Sequence, residues 1–294
     1  MKILAVLMAS SLSLLALEPL VDAHWLDAHK SDTNVKVVEV SDGDSYAKEH
    51  ISNALHTSIG KWRFDNGTFL SVRPVEEIEK EIRSLGIDEN SEVVLYAPIN
   101  EPKDLLKASY IYWALHYHGV KNVALLDGGF KSYKALGLAT SNEVMSVKPT
   151  VFKAKLDGQK IADLHYVKKH LKKLPMIDAR PSDMYLGVTP TATVKRNGHI
   201  EGAMSYSWNY SVDKEYKLKP KALLESVFKE GYGLDKNKEV LVYCTGGLET
   251  SYNYFVLSGV LGYKNIRLYD ASMKEWGNRE DTQMKQYRYE MFKK

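Results

Sequence analysis

The stretch Glu239-Val240-Leu241-Val242-Tyr243-Cys244-Thr245-Gly246-Gly247-Leu248-Glu249-Thr250-Ser251 decides how the rest of the chain is read. An apolar run from Val240 to Tyr243 ends on Cys244, the one cysteine in 294 residues. Two glycines follow, then apolar positions at helical spacing: Tyr252, Phe255, Val256, Leu257 and Val260. This pattern predicts a buried strand, a tight loop and a helix, with the thiol at the strand's carboxyl end. The glycines let the loop curl until several backbone N–H groups point into one concavity, and the helix amino end adds partial positive charge. A thiol held there is drawn toward thiolate, the form that attacks electrophiles. The plainer alternative is a small buried core residue, a common use of free cysteine.

Working outward, the chain repeats itself. Gly86 to Ala97 aligns residue for residue with Gly233 to Cys244, Glu49 to Ala54 matches Gly198 to Ala203, and Lys121 to Gly129 matches Lys264 to Ser272. Three blocks in the same order argue for two copies of one domain. Strands are predicted at Lys36–Val40, Leu55–Ser58, Glu92–Tyr96 and Asn122–Leu126 in the first copy, and at Met176–Asp178, Ala203–Tyr206, Glu239–Tyr243 and Ile266–Tyr269 in the second, with helices between them. The expected fold class is therefore α/β, each domain a mainly parallel sheet with helices on both faces. Ligands of such sheets sit beyond the strands' carboxyl ends, where Cys244 lies. The first domain is set at residues 24–145, a lysine-rich linker at 146–160 and the second domain at 161–294.

Residues 1–23 read as an export signal. Lys2 is followed by an apolar run from Ile3 to Leu17, then by the small-residue ending Val21-Asp22-Ala23, a basic start and a cleavage-like end. Cleavage is expected after Ala23, and the periplasm is the expected location. A lone cysteine in an exported chain has no internal disulfide partner, so it is inert, paired with another chain, or free and reactive. Composition is that of an ordinary globular protein, 44% hydrophobic and 26% charged, and a net charge of +3 is too mild to point to nucleic acid. The 19 tyrosines carry no functional reading.

These residues resemble the tandem-domain rhodaneses, sulfurtransferases that include the thiosulfate and 3-mercaptopyruvate enzymes. The likeness rests on Ile177-Asp178-Ala179-Arg180 with Tyr185, on Gly198 to Ala203, on Val242-Tyr243-Cys244 with its loop, and on Leu268 to Trp276. It implies an inactive first domain, which agrees with Ala97 in the slot matching Cys244, and a catalytic second one. It further implies that Cys244 takes sulfur from a small anionic donor as a persulfide and yields it to a thiol, cyanide or a protein. Backbone groups of Thr245, Gly246, Gly247, Leu248, Glu249 and Thr250 would bind donor and sulfur. Arg180 and Arg196 are candidate substrate cations, Arg180 being equally suited to a structural ion pair. Asp178 and His199 are read as structural. Asp270, Ser272 and Trp276 are expected to shape the loop and its neighbouring helix, and Trp62 and Arg63 to lie in a surface loop rather than the pocket. No metal or organic cofactor is called for, since no His/Cys cluster has ligand spacing.

The loop departs from the family in having no basic residue and in carrying Glu249. A carboxylate on the rim would disfavour both thiolate and a dianionic donor; pointed outward along the first helical turn, it would only complement the helix dipole. The outward orientation is the expected one. Phosphatases on the same scaffold place an arginine six residues after the cysteine to grip phosphate. Thr250 stands there, which argues against that chemistry. The remaining alternative is a sulfur carrier or anion-binding module without turnover.

Overall fold

The computed structural model of the protein describes residues 17–287. Val240 to Tyr243 are fully buried, and they form most of the central strand, Glu239–Tyr243, of a five-stranded sheet. The sheet order is Ile161–Ala162, Asn265–Tyr269, Glu239–Tyr243, Met176–Asp178, Met204–Ser205, with every neighbouring pair parallel. The first half builds the same sheet from Leu20–Val21, Val123–Leu126, Glu92–Tyr96, Val35–Val40 and Leu55–Thr57, again all parallel. Helices flank both sheets. The central strands were legible because strands covered on both faces are continuous apolar runs. The edge strands Leu20–Val21 and Ile161–Ala162 were not expected, since two residues carry no periodicity.

One of those edge strands moves the expected start of the first domain. Leu20 and Val21 pair with Leu125 and Leu126, and Leu125 N–H donates to Pro19 O at 2.9 Å. Asp22 caps the helix Ala23–His29 by accepting from Trp25 N–H at 2.8 Å. A cut after Ala23 would remove both the strand and the cap. Val21 ends that strand, Asp22 is the cap and Ala23 opens the helix. Most of the apolar run ahead of them lies outside the described residues. Residues 142–160 carry no regular element and run along the first domain, where Ala154 N–H donates to Glu79 Oε1 at 2.8 Å and Phe152 is buried.

The two halves share one hydrophobic core. Its centre is the helix Pro102–Tyr117, started by a proline and by Asp104, which accepts from the N–H groups of Asn100 and Glu101. Ile111, Trp113, Ala114 and Leu115 are all buried, the mark of a helix apolar all round. It packs on the helix Leu248–Tyr254 of the second half: Tyr112 meets Phe255, just beyond that helix, edge-on at 5.1 Å, and Ser109 Oγ lies 2.8 Å from Ser251 Oγ. The helix that opens at the cysteine loop is thus seated directly on the first domain.

Candidate active site

Cys244 follows the Glu239–Tyr243 strand, and its backbone is pinned on both sides. Its N–H donates to Ser272 Oγ at 3.0 Å, and its carbonyl accepts from Met273 N–H at 3.1 Å. Ala97 O accepts from Phe130 N–H in the same way in the first domain, at 2.9 Å. The neighbouring residue differs there. Gly129 fills the place of Ser272, and a Cβ on it would stand 2.4 Å from Ala97 O. Ser272 instead accepts a positive φ of 52° and spends its hydroxyl on the cysteine's N–H and on Tyr269 O.

The loop turns at Gly247, whose φ of 90° only glycine adopts readily. A Cβ there would also stand 2.1 Å from Asp270 Oδ1. The turn aims Gly247 N–H at Cys244 Sγ, 3.1 Å away. The N–H groups of Gly246 and Thr250 and the buried Thr250 hydroxyl also favour negative charge on the sulfur. Together these donors form a cradle around the sulfur. Leu248 packs into the shared core instead of facing it.

The charge of the thiol runs against expectation. Cys244 is fully buried. Burial first, and the Glu249 carboxylate second, push its pKa up to about 12, more than the loop donors pull it down. Glu249 does not point outward. Its half-buried carboxyl lies against the thiol and Thr245 N–H, and burial raises its own pKa. The reason is geometric: side chains in a first helical turn lean toward the amino end and cover the residues before them.

The two candidate arginines part company. Arg180 is buried and bound to Asp178, Nη2 to Oδ2 at 2.6 Å and Nε to Oδ1 at 2.9 Å, with Nη2 also on Gly198 O at 2.7 Å. Burial opposes its charge, but the Asp178 carboxylate outweighs it and raises its pKa, with Tyr243 and Cys244 adding to the pull. Arg180 is thus a fixed positive charge in the buried shell around the cysteine. Arg196 does not share that role: it donates to Trp276 O, Gly277 O and Thr282 O and to the Thr282 hydroxyl, strapping the chain after the last helix. His199 stacks on Tyr185 at 3.7 Å and bonds Tyr185 O, a structural placement. Trp276 is buried and donates to Gln283 O.

Trp62 and Arg63 are not in a surface loop. Trp62 is fully buried and donates to Thr57 Oγ1. Arg63 crosses from the first domain to the cysteine loop: Nη2 donates to Gly246 O and lies 3.6 Å from Asp270 Oδ1, and the guanidinium sits 4.4 Å from the Tyr110 ring centre. Asp270 Oδ2 accepts from Tyr110 OH and Val72 N–H, each at 2.8 Å. Lys274 also reaches the loop. Its N–H donates to Thr245 O at 2.9 Å, and its stem carbons lie 3.3–3.8 Å from the Cβ position of Gly246. Lys274 stood inside the motif Leu268 to Trp276, but Arg63 had no signal short of the fold.

The rhodanese-like domain family matches residues 22–136 and 163–279, one match in each half. A protein of Synechococcus elongatus, whose name places it provisionally among the thiosulfate sulfurtransferases, is 30% identical over 86% of this chain and 80% of its own. The sulfur carrier protein TtuD of Thermus thermophilus is 30% identical over 89% of this chain and 94% of its own. Among solved structures, the anaerobic ergothioneine biosynthesis enzyme of Chlorobium limicola superposes with a TM-score of 0.83 at 20% identity, over 91% of this chain and 70% of its own, a likeness of fold. With the matching halves, the parallel sheets and the cysteine loop, the chain belongs to the tandem-domain rhodanese family of sulfurtransferases.

Proposed function

We propose that Cys244 takes sulfane sulfur from a small anionic donor, thiosulfate or 3-mercaptopyruvate, and passes it to a thiol, cyanide or protein acceptor. The observation that carries this is the N–H of Gly247 3.1 Å from the sulfur of the chain's one cysteine. The thiol gives up its proton to solvent, and the Gly247 N–H takes up the charge left on the sulfur. The thiolate then attacks the outer sulfur of thiosulfate; that S–S bond breaks with its electron pair on departing sulfite, and Cys244 holds the persulfide. From mercaptopyruvate the C–S bond breaks instead, and the carbon takes a proton to give pyruvate. An acceptor thiolate or cyanide attacks the outer persulfide sulfur, and Cys244 leaves as thiolate onto the same N–H groups. Intact mass is the test. Thiosulfate or mercaptopyruvate should add one sulfur, about 32 Da, to wild type and nothing to Cys244→Ser; no gain with either donor overturns the reading.

A second reading is favoured by the full burial of Cys244 and by the sulfur-carrier relative: the protein holds one sulfur and yields it only to a docked partner. A carrier would load one sulfur per chain yet turn over thiosulfate and cyanide poorly. We also propose export to the periplasm, supported by Lys2 and the run Ile3 to Leu17. Amino-terminal sequencing of the mature protein should then find a cut ahead of Pro19; an intact Met1 overturns it.

A further inference from the structure

Anion-binding rhodanese chemistry at Cys244 raises a question of charge. The loop has no basic residue, Glu249 is turned inward, and burial disfavours thiolate. Arg180 is engaged by Asp178. The cation with a direct bond to the loop comes from the other domain. Arg63 Nη2 donates to Gly246 O and also to Leu70 O at 3.3 Å. Its side chain is 4% exposed, so this bond forms away from competing water.

The position of that bond matters. Gly246 O and Gly247 N–H belong to one peptide unit. The chain has no cis bond there, and in a trans peptide the two groups point in opposite directions. Arg63 therefore grips one end of the plane whose other end faces Cys244 Sγ at 3.1 Å. A charged donor on the carbonyl oxygen polarises the peptide and strengthens its N–H as a donor. The grip is itself held. Asp270 lies 3.6 Å from Nη2, and the Tyr110 ring backs the guanidinium at 4.4 Å. Tyr110 OH and Val72 N–H fix the far oxygen of Asp270.

We propose that Arg63 of the first domain is a positioning residue of the second domain's active site, orienting and polarising the Gly246–Gly247 peptide whose N–H stabilises the Cys244 sulfur. The first domain, which has no cysteine of its own, in this way supplies positive character to the loop of the second. The inference rests on Cys244 as the sulfur-bearing nucleophile, but its test reads the thiol directly and needs no sulfur transfer.

The test is the rate of iodoacetamide addition to Cys244 between pH 7 and 9, followed by intact mass, in wild type, Arg63→Gln and Arg63→Lys, with folding checked by near-UV circular dichroism. Gln keeps a neutral donor without the charge; Lys keeps the charge without the planar fork. At pH 8, Arg63→Gln should react about three- to tenfold more slowly than wild type and Arg63→Lys about two- to threefold more slowly. A merely structural role predicts the opposite sign, because loosening the loop uncovers a buried thiol and speeds its alkylation. Rates equal to or above wild type overturn the proposal. Should Arg63→Gln fail to fold, Arg63→Lys decides by the same sign. Slower alkylation in a protein that also fails to take sulfur would uphold this inference while sinking the persulfide reading.

Discussion

Gly247 stands against Asp270 so closely that a methyl group on it would lie 2.1 Å from Oδ1 and 3.2 Å from Arg63 Nη2. Those two side chains are buried and tied to the first domain, so neither moves aside cheaply. Gly247→Ala also forces an L residue to a φ of 90°. The loop must shift, and the N–H directed at Cys244 shifts with it. The expected result is a loss of about 1–3 kcal/mol in stability and at least about a hundredfold drop in sulfur loading, measured by urea denaturation and by intact mass after thiosulfate. A variant that loads at the wild-type rate would mean that this N–H is not needed.

Glu249 and the Cys244 thiol press on each other's charge. The carboxylate is the second cause, after burial, of the thiol's raised pKa. Glu249→Gln removes that charge and keeps the shape, so the thiol ionises at lower pH. Alkylation of Cys244 at pH 8 should rise about three- to tenfold, and the apparent KM for thiosulfate, a dianion, should fall. Slower reaction in this variant would show instead that the carboxylate's main part is to accept the thiol proton.

The same raised pKa is a statement about stability. The folded thiol keeps its proton to about pH 12, whereas an unfolded cysteine ionises near about 8.5. Between those values the unfolded chain binds fewer protons, so folding stability falls as pH rises. Cys244→Ser lacks this component. Between pH 8 and 10 the stability of wild type should therefore drop by about 1–2 kcal/mol relative to Cys244→Ser. Comparing the two by urea denaturation cancels the many buried tyrosines, which titrate in both. A difference constant across that range would mean that the thiol is not perturbed by burial.

What the sequence disclosed follows from range. Strand, loop and helix around Cys244 are local, and their apolar runs and glycines carry them. The duplication disclosed two copies of one domain, and Glu92–Tyr96 and Glu239–Tyr243 do occupy the same central place in their sheets. What stayed hidden are contacts between segments far apart in the chain. Arg63 meets Gly246, Ser109 meets Ser251, and Tyr112 packs on Phe255. The tyrosines, unreadable in composition, fill that domain boundary: Tyr110, Tyr112, Tyr252 and Tyr254 are all buried there. Glu249 was local, yet its direction depended on how the first helical turn sits over the loop. Leu20–Val21 was concealed by an apolar run of another kind directly ahead of it.

Lys274 is a cation beside the cysteine loop, and among the described residues it makes no ion pair. Its stem lies across Gly246, where a side chain would leave it contacts as short as 3.3 Å. A half-buried lysine placed so is suited to meet an anionic donor arriving at Cys244. Lys274→Gln should raise KM for thiosulfate about three- to tenfold with little change in kcat, and the wild-type KM should rise with salt more steeply than that of the variant. A change confined to kcat would place Lys274 in the loop's architecture and not in donor capture.

Arg180 and Arg196 entered together as candidate substrate cations, and the structure predicts that they separate in experiment. Arg180 and Asp178 form a buried pair, their side chains 2% and 0% exposed. Removing one member leaves the other charged and dry, which costs about 3–5 kcal/mol. Arg180→Met should therefore melt far earlier or fail to accumulate, and the pair replacement Asp178→Asn with Arg180→Met should recover part of the loss, because no lone charge remains. Arg196 is half-buried and holds only neutral acceptors. Arg196→Ala should lower stability by about 1–2 kcal/mol while leaving KM for thiosulfate and mercaptopyruvate unchanged. Urea midpoints and steady-state kinetics on the same preparations decide both. A raised KM in a fully folded Arg196→Ala would return that residue to the donor site, and an Arg180→Met as stable as wild type would mean that the Asp178 pair contributes little to the fold.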